Sequence, residues 1–148
     1  MKSVIVYASV HHGNTRKLVD ALAEQFPIDT IDAVAVKEAE LSGYDLVGFA
    51  SGIYAGQFHQ TIKEFAARNL PENKKIFFIM TSAMNKDFTK SMNASLDGKN
   101  PIIMGKYSCF GYNTFGPFKL IGGTSKGHPD KTDIENVLKF YQTILNNV

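Results

Sequence analysis

The stretch Val4-Ile5-Val6-Tyr7-Ala8-Ser9-Val10-His11-His12-Gly13-Asn14-Thr15 decides the fold. Its first five residues are a short, near-continuous apolar run, the pattern of a strand buried on both faces. The next seven bring hydroxyls, imidazoles and a glycine. Beyond them the period becomes helical, with Leu18, Val19, Leu22 and Phe26 on one face before Pro27 stops the segment. A strand that passes through a polar glycine loop into a helix is the opening unit of a parallel α/β sheet.

The same alternation continues along the chain. Leu46 to Ala50, Ile76 to Met80 and Ile102 to Tyr107 read as further buried strands, and Ile28 to Val36 contains one more whose apolar residues settle into no single period. Ile62, Phe65 and Ala66 predict a helix before Pro71. Phe88, Met92 and Leu96 predict another that ends near Gly98. Ile134, Val137, Leu138, Tyr141, Ile144 and Leu145 form a sustained helical stripe. Thr132 and Glu135 stand ahead of it at capping-box spacing, which predicts a helix start near Thr132. Five strands and intervening helices predict a three-layer, doubly wound α/β domain over residues 1–148, with a parallel sheet in the order 2-1-3-4-5. In such sheets a ligand crevice opens at the carboxyl ends of the strands where the winding reverses, here between the first and third.

Composition narrows the function. Of 148 residues, 44% are hydrophobic and 20% charged, as in an ordinary globular domain. Lysine and arginine exceed aspartate and glutamate by only 16 to 14, without a basic stripe, which argues against nucleic acid as a partner. The single cysteine, Cys109, excludes an internal disulfide and is expected to be a small buried apolar residue. Neither a signal-peptide core nor a membrane-length apolar run is present, so a cytoplasmic location away from the membrane is expected.

The loop from Ser9 to Thr15 predicts an anion site. First-turn amides and the positive end of the helix dipole favour a phosphate, and Gly13 permits close backbone approach. The plainer reading is that Asn14 or Thr15 caps the helix, and the two roles are compatible. A triphosphate loop and a dinucleotide turn are both missing. A receiver domain would need acidic residues after the first and third strands. A small tyrosine phosphatase would need a cysteine in the first loop. No metal ligand set or catalytic side chain is indicated, and His11 and His12 are read as hydrogen-bonding or solvent-facing groups.

With Ile5-Val6-Tyr7-Ala8-Ser9 followed by Gly13-Asn14-Thr15, the chain resembles the flavodoxin family, and a late Gly127-His128-Pro129-Asp130 segment places it near a branch that carries a His-Gly-Asn-Thr loop. The resemblance implies noncovalent binding of flavin mononucleotide (FMN). Its phosphate would lie in the loop of Ser9, Val10, His11, His12, Gly13, Asn14 and Thr15. The loop of Ser51, Gly52, Ile53, Tyr54 and Gly56 would hold the isoalloxazine ring, with Tyr54 the first candidate for stacking, Phe58 the second, and a peptide near Gly52 or Gly56 meeting the flavin N5. By position in the topology, Thr81, Ser82 and Ala83 would serve the pyrimidine edge or ribityl chain. Ser108 to His128, rich in glycine and aromatics, is expected to fold over the sheet end near the flavin or form an oligomer contact.

The implied activity is electron transfer, the flavin cycling among oxidised, semiquinone and hydroquinone forms while a redox partner protein or small-molecule acceptor meets the ring edge. A nicotinamide-dependent FMN reductase of quinones or related acceptors is the second reading, and a flavin-free interaction domain the third. Ser51 to Gln60 contains no carboxylate, so a less negative hydroquinone potential is expected than behind an acidic rim.

Overall fold

A computed structural model describes residues 1–10, 12–112 and 126–148. Strands β1 (Ser3–Ala8), β2 (Ile28–Asp32), β3 (Leu46–Tyr54), β5 (Lys75–Ser82) and β6 (Ile102–Phe110) form a parallel sheet in the order β2-β1-β3-β5-β6, and the two-residue β4 (Gln57–Phe58) pairs antiparallel with the end of β3. This is the expected doubly wound order, with β4 added as a hairpin off the main path.

Alternation along each strand divides the core between two layers. Val4, Val6, Val47, Phe49, Ile76 and Phe78 face one side, where α2 (Gln60–Asn69) covers them with Ile62, Phe65 and Ala66. Ile5, Leu46, Ala50, Phe77 and Ile79 face the other, under Leu18, Val19 and Leu22 of α1 (Asn14–Gln25) and Val137, Tyr141 and Ile144 of α4 (Lys131–Asn147). Residues i and i+1 of a strand therefore serve different layers, which is why each run reads as continuously apolar. Each fully buried large side chain contributes roughly 1.5–3 kcal/mol relative to exposure.

Several elements depart from the sequence expectation. The irregular period of Ile28 to Val36 arises because β2 ends at Asp32, whose side chain and carbonyl accept from the amides of Val34 and Val36 in a turn that exposes both valines. The helix expected around Phe88, Met92 and Leu96 is a 3-10 turn, Thr89–Met92, followed by the four-residue α3, Asn93–Leu96. Its apolar residues still reach the core, while Gly98, at φ 76°, ends the segment.

Helix α4 starts one residue earlier than predicted, and its box is not Thr132 with Glu135. The Asp130 carboxylate accepts from the Asp133 amide at 2.9 Å and the Asp133 carboxylate accepts from the Asp130 amide at 2.8 Å. Two short aspartates satisfy the same free amides two residues upstream. Among the described residues no helix is long and apolar enough to cross a membrane.

Candidate functional site

The carboxyl ends of β1, β3 and β5 converge on a cavity of about 280 Å³. One end is polar. Helix α1 starts from Gly13, at φ 66° and ψ 21°, a cap residue with no side chain to offer; His12, at φ 55°, shares the left-handed turn. The first amides of a helix have no intrahelical acceptor. Here the Arg16 amide donates to Ser9 Oγ at 3.1 Å. Asn14 and Thr15 are the first helical residues, not caps, and both side chains are buried and line the cavity. The Thr15 and Thr81 hydroxyls are 3.1 Å apart.

Asn14 Nδ2 donates to the Tyr112 carbonyl at 2.8 Å, an orientation fixed because that carbonyl only accepts. Asn14 Oδ1 is left buried without a partner among the described residues. Such an atom costs about 1–3 kcal/mol unless a donor reaches it. The neighbouring Gly111 makes this approach possible, because a Cβ there would sit 2.7 Å from Asn14 Nδ2.

The other end is a slot between two loops. Beyond β3 the chain turns at Ala55 and Gly56, both with positive φ, so that Ile53 pairs with Phe58 and Tyr54 with Gln57. Consecutive left-handed residues are the signature of the tight hairpin turn whose twist matches its strands. Ser51 fastens the base of this hairpin: its hydroxyl donates to the Gly52 carbonyl at 2.5 Å and accepts from the His59 amide at 2.9 Å. The Tyr54 ring leans across Gly52 and meets His59 edge-on, with centroids 5.4 Å apart. Burial raises the pKa of the Tyr54 hydroxyl, and a hydrogen bond from the Val10 backbone opposes that rise. On the facing wall stand Ala83, Met84 and Phe88.

The cavity therefore gathers Ser9, Asn14 and Thr15 from the first predicted loop, Gly52, Ile53, Tyr54 and Gly56 from the second, and Thr81, Ser82 and Ala83 from the third. Other expected residues stand elsewhere. Val10 is exposed outside the cavity, Gly13 turns the backbone behind it, and Ser51 supports the hairpin. His12 stacks obliquely on Tyr112, with centroids 4.3 Å apart. Phe58 is no stacking residue: it is 1% exposed and packs edge-on to Phe78 in the core. His11 and residues 113–125, including Phe115 and Phe118, lie outside the described residues. Sequence reasoning missed Phe88 as a lining residue, and placed Ala55, Met84, Gly111 and Tyr112 only by their segments. The aromatic-glycine character of Phe110-Gly111-Tyr112 was the available signal, but their approach to Asn14 is tertiary.

These groups fit a phosphorylated flavin. Hydroxyls and the first α1 amides, which lack intrahelical acceptors, suit a phosphate, Asn14 Oδ1, without a partner among the described residues, suits a polyol hydroxyl, and the slot beside Tyr54 and Met84 suits a flat ring.

Fold and cavity together define a flavodoxin-like α/β protein. A family profile describing a flavodoxin domain matches residues 4–111, and the chain belongs to that family. It is 37% identical over 150 residues, covering 99% of this chain and 100% of the relative, to an uncharacterised protein of Methanocaldococcus jannaschii. Among solved structures it is similar to oxidised flavodoxin 1 of Bacillus cereus, with TM-score 0.71 and 15% identity over 100% of this chain and 99% of that one. It is also similar to a flavoprotein of Lactobacillus acidophilus in complex with FMN, with TM-score 0.52 and 16% identity over 72% of this chain and 92% of that one. At those identities the structures share the fold.

Proposed function

We propose that this protein binds FMN in the cavity at the carboxyl end of the sheet and works as an electron carrier. The observation that carries the reading is the joining, in one cavity, of a helix start whose glycine cap has no side chain and an Asn14 Oδ1 without a partner among the described residues to a slot walled by Tyr54 and Met84. Bound FMN supplies reversible electron transfer in its isoalloxazine ring.

The chain's own residues do the rest. The α1 amides and the hydroxyls of Ser9 and Thr15 hold the phosphate, with the helix dipole adding attraction. Thr81 fixes the Thr15 hydroxyl from the neighbouring strand. Tyr54 and the hairpin turn exclude water from one face of the ring, and the peptides around Gly52 and Gly56 are the backbone groups on that side that can exchange a hydrogen bond with it. Among the described residues no Asp, Glu, Lys or Arg lines the cavity, so these loops build no charged acid or base into its wall. This suits storage and release of electrons without bond-making chemistry on a substrate.

Purified protein is titrated with FMN and followed by absorption and flavin fluorescence, then reduced stepwise under nitrogen. Stoichiometric binding, reversible reduction and no multiple turnover with NADH or NADPH are expected. Rapid nicotinamide-dependent turnover would replace the carrier reading by a reductase, and failure to bind FMN would overturn both.

A further inference from the structure

The surface around the cavity mouth carries a charge pattern that the cavity itself does not use. Residues 9–15, 51–60, 81–86 and 110–112, the segments from which most of the cavity lining comes, contain no aspartate or glutamate, while Asp32 at the end of β2 and Asp130 beside His128 stand further out at the same end of the sheet. Two large apolar side chains stand in solvent there, Val10 at 54% and Met84 at 56% exposure. Beside them an open groove of about 710 Å³ runs between α2 and the Thr89–Met92 turn, sharing Gly56 with the flavin cavity. Ala67, Ala94 and Ser95 line it with small side chains, and its charged lining is Lys63 and Lys90 against Glu64.

Of the acids near this groove one is balanced and one is not. The Asp87 carboxylate takes two hydrogen bonds from Thr89 and pairs with Lys106 at 3.1 Å, while Glu64 accepts only from the neutral Gln60 amide and keeps its charge. Lys86 and Lys90 are exposed, and Lys63 donates to the Gln57 side chain at the groove edge. With Asp87 balanced by Lys106, the shoulder of the cavity sets Lys63, Lys86 and Lys90 against Glu64, a cationic excess beside an apolar centre. Exposed apolar side chains rimmed by one sign of charge mark a docking surface, and the sign selects the partner.

We propose that this mouth and groove form one docking face for an electron-carrier protein with an acidic rim around an apolar centre, Lys63, Lys86 and Lys90 steering it and Val10 and Met84 meeting its centre. The inference rests on the flavin reading given above. Contact at Gly56 sets the partner against the hairpin that encloses the ring, the shortest approach for an electron. Nothing but an electron crosses: it leaves the donor's metal for the oxidised ring, or leaves the reduced ring for the acceptor's metal.

The test uses FMN-loaded protein and two probe proteins of opposite charge in stopped flow. A strongly acidic [2Fe–2S] ferredoxin in its reduced form donates one electron to the oxidised flavin; a basic c-type cytochrome in its ferric form accepts one from the reduced flavin. Between about 10 mM and about 500 mM salt the ferredoxin reaction should slow by about tenfold or more, while the cytochrome reaction should not slow. K63E/K90E should invert both trends, and K75E/K139E, with the same charge change away from the mouth, should keep the wild-type pattern. Insensitivity of the ferredoxin rate to salt, or equal behaviour of the two double variants, would overturn the docking face while leaving flavin binding intact. NADH or NADPH turnover lost in K63E/K90E would assign the lysines to a small anionic substrate and also overturn it. If no flavin is retained, the functional reading falls and this inference with it.

Discussion

Thr15 shows how one side chain can be structural and functional together. It is 1% exposed, yet its hydroxyl lies at the cavity wall and within 3.1 Å of Thr81. Thr15→Val keeps the shape and removes the hydroxyl. FMN affinity should fall by roughly tenfold to a hundredfold, the value of a hydrogen bond to a charged group. Riboflavin, which lacks the phosphate, should lose much less, and fluorescence titration with both ligands checks the difference. Equal losses would place Thr15 away from the phosphate. Gly48 is the opposite case, remote from the cavity and wholly a packing residue. A Cβ there would lie 2.3 Å from the Phe77 ring, which rests against β3 in the space a side chain would need. Gly48→Ala should cost about 1–3 kcal/mol in urea unfolding through overpacking, with little change in flavin affinity once folded.

Two helix starts depend on histidines that titrate in opposite senses. At α2, His59 Nδ1 accepts from the Thr61 amide at 3.1 Å, so the cap needs a neutral ring; burial, then the charge of Lys37, lowers the His59 pKa. Its contribution is present above the unfolded value of 6.5 and is lost as pH falls through the lower folded value. At α4, His128 Nδ1 lies 2.7 Å from the Asp133 carboxylate, and that hydrogen bond raises the imidazole pKa. Its contribution is complete below 6.5 and is lost as pH rises through the raised folded value. The second effect reaches the cavity, because the His128 carbonyl accepts from the amide of Tyr112, whose own carbonyl holds Asn14. Hydrogen-exchange protection factors should therefore fall at Thr61 on acidification and at Tyr112 and Asp133 on making the solution alkaline. His128→Gln should abolish the second trend and leave the first. Asp130→Ala, which removes half of the α4 box, should cost about 1 kcal/mol. An unchanged unfolding midpoint would show that the box adds nothing.

Across the whole molecule the sheet brings three distant loops to one end, and the charge around that end follows from which residues those loops lack. With no carboxylate in them, reduction of a bound flavin meets little repulsion, so the hydroquinone potential should be less negative than behind an acidic rim. Met84→Glu places one negative charge at the mouth and should shift the potential negatively by coupling on the order of 1 kcal/mol; spectroelectrochemical titration of both proteins checks the sign. The sequence by itself determined four of the strand runs, the stripes of α1, α2 and α4 and the glycine loop after β1, because these are local patterns imposed by the pleat, the helical period and the needs of a helix start. Their alternation also determined the parallel order, since crossovers have one hand. What only the tertiary structure decided lies in contacts between residues far apart in the chain. Phe58 went to the core because pairing with Ile53 turned its ring toward Phe78, while Tyr54, four positions earlier, was left at the cavity. Tyr112 joined Asn14 across the end of the sheet because Gly111 leaves the room, an approach that no periodicity encodes.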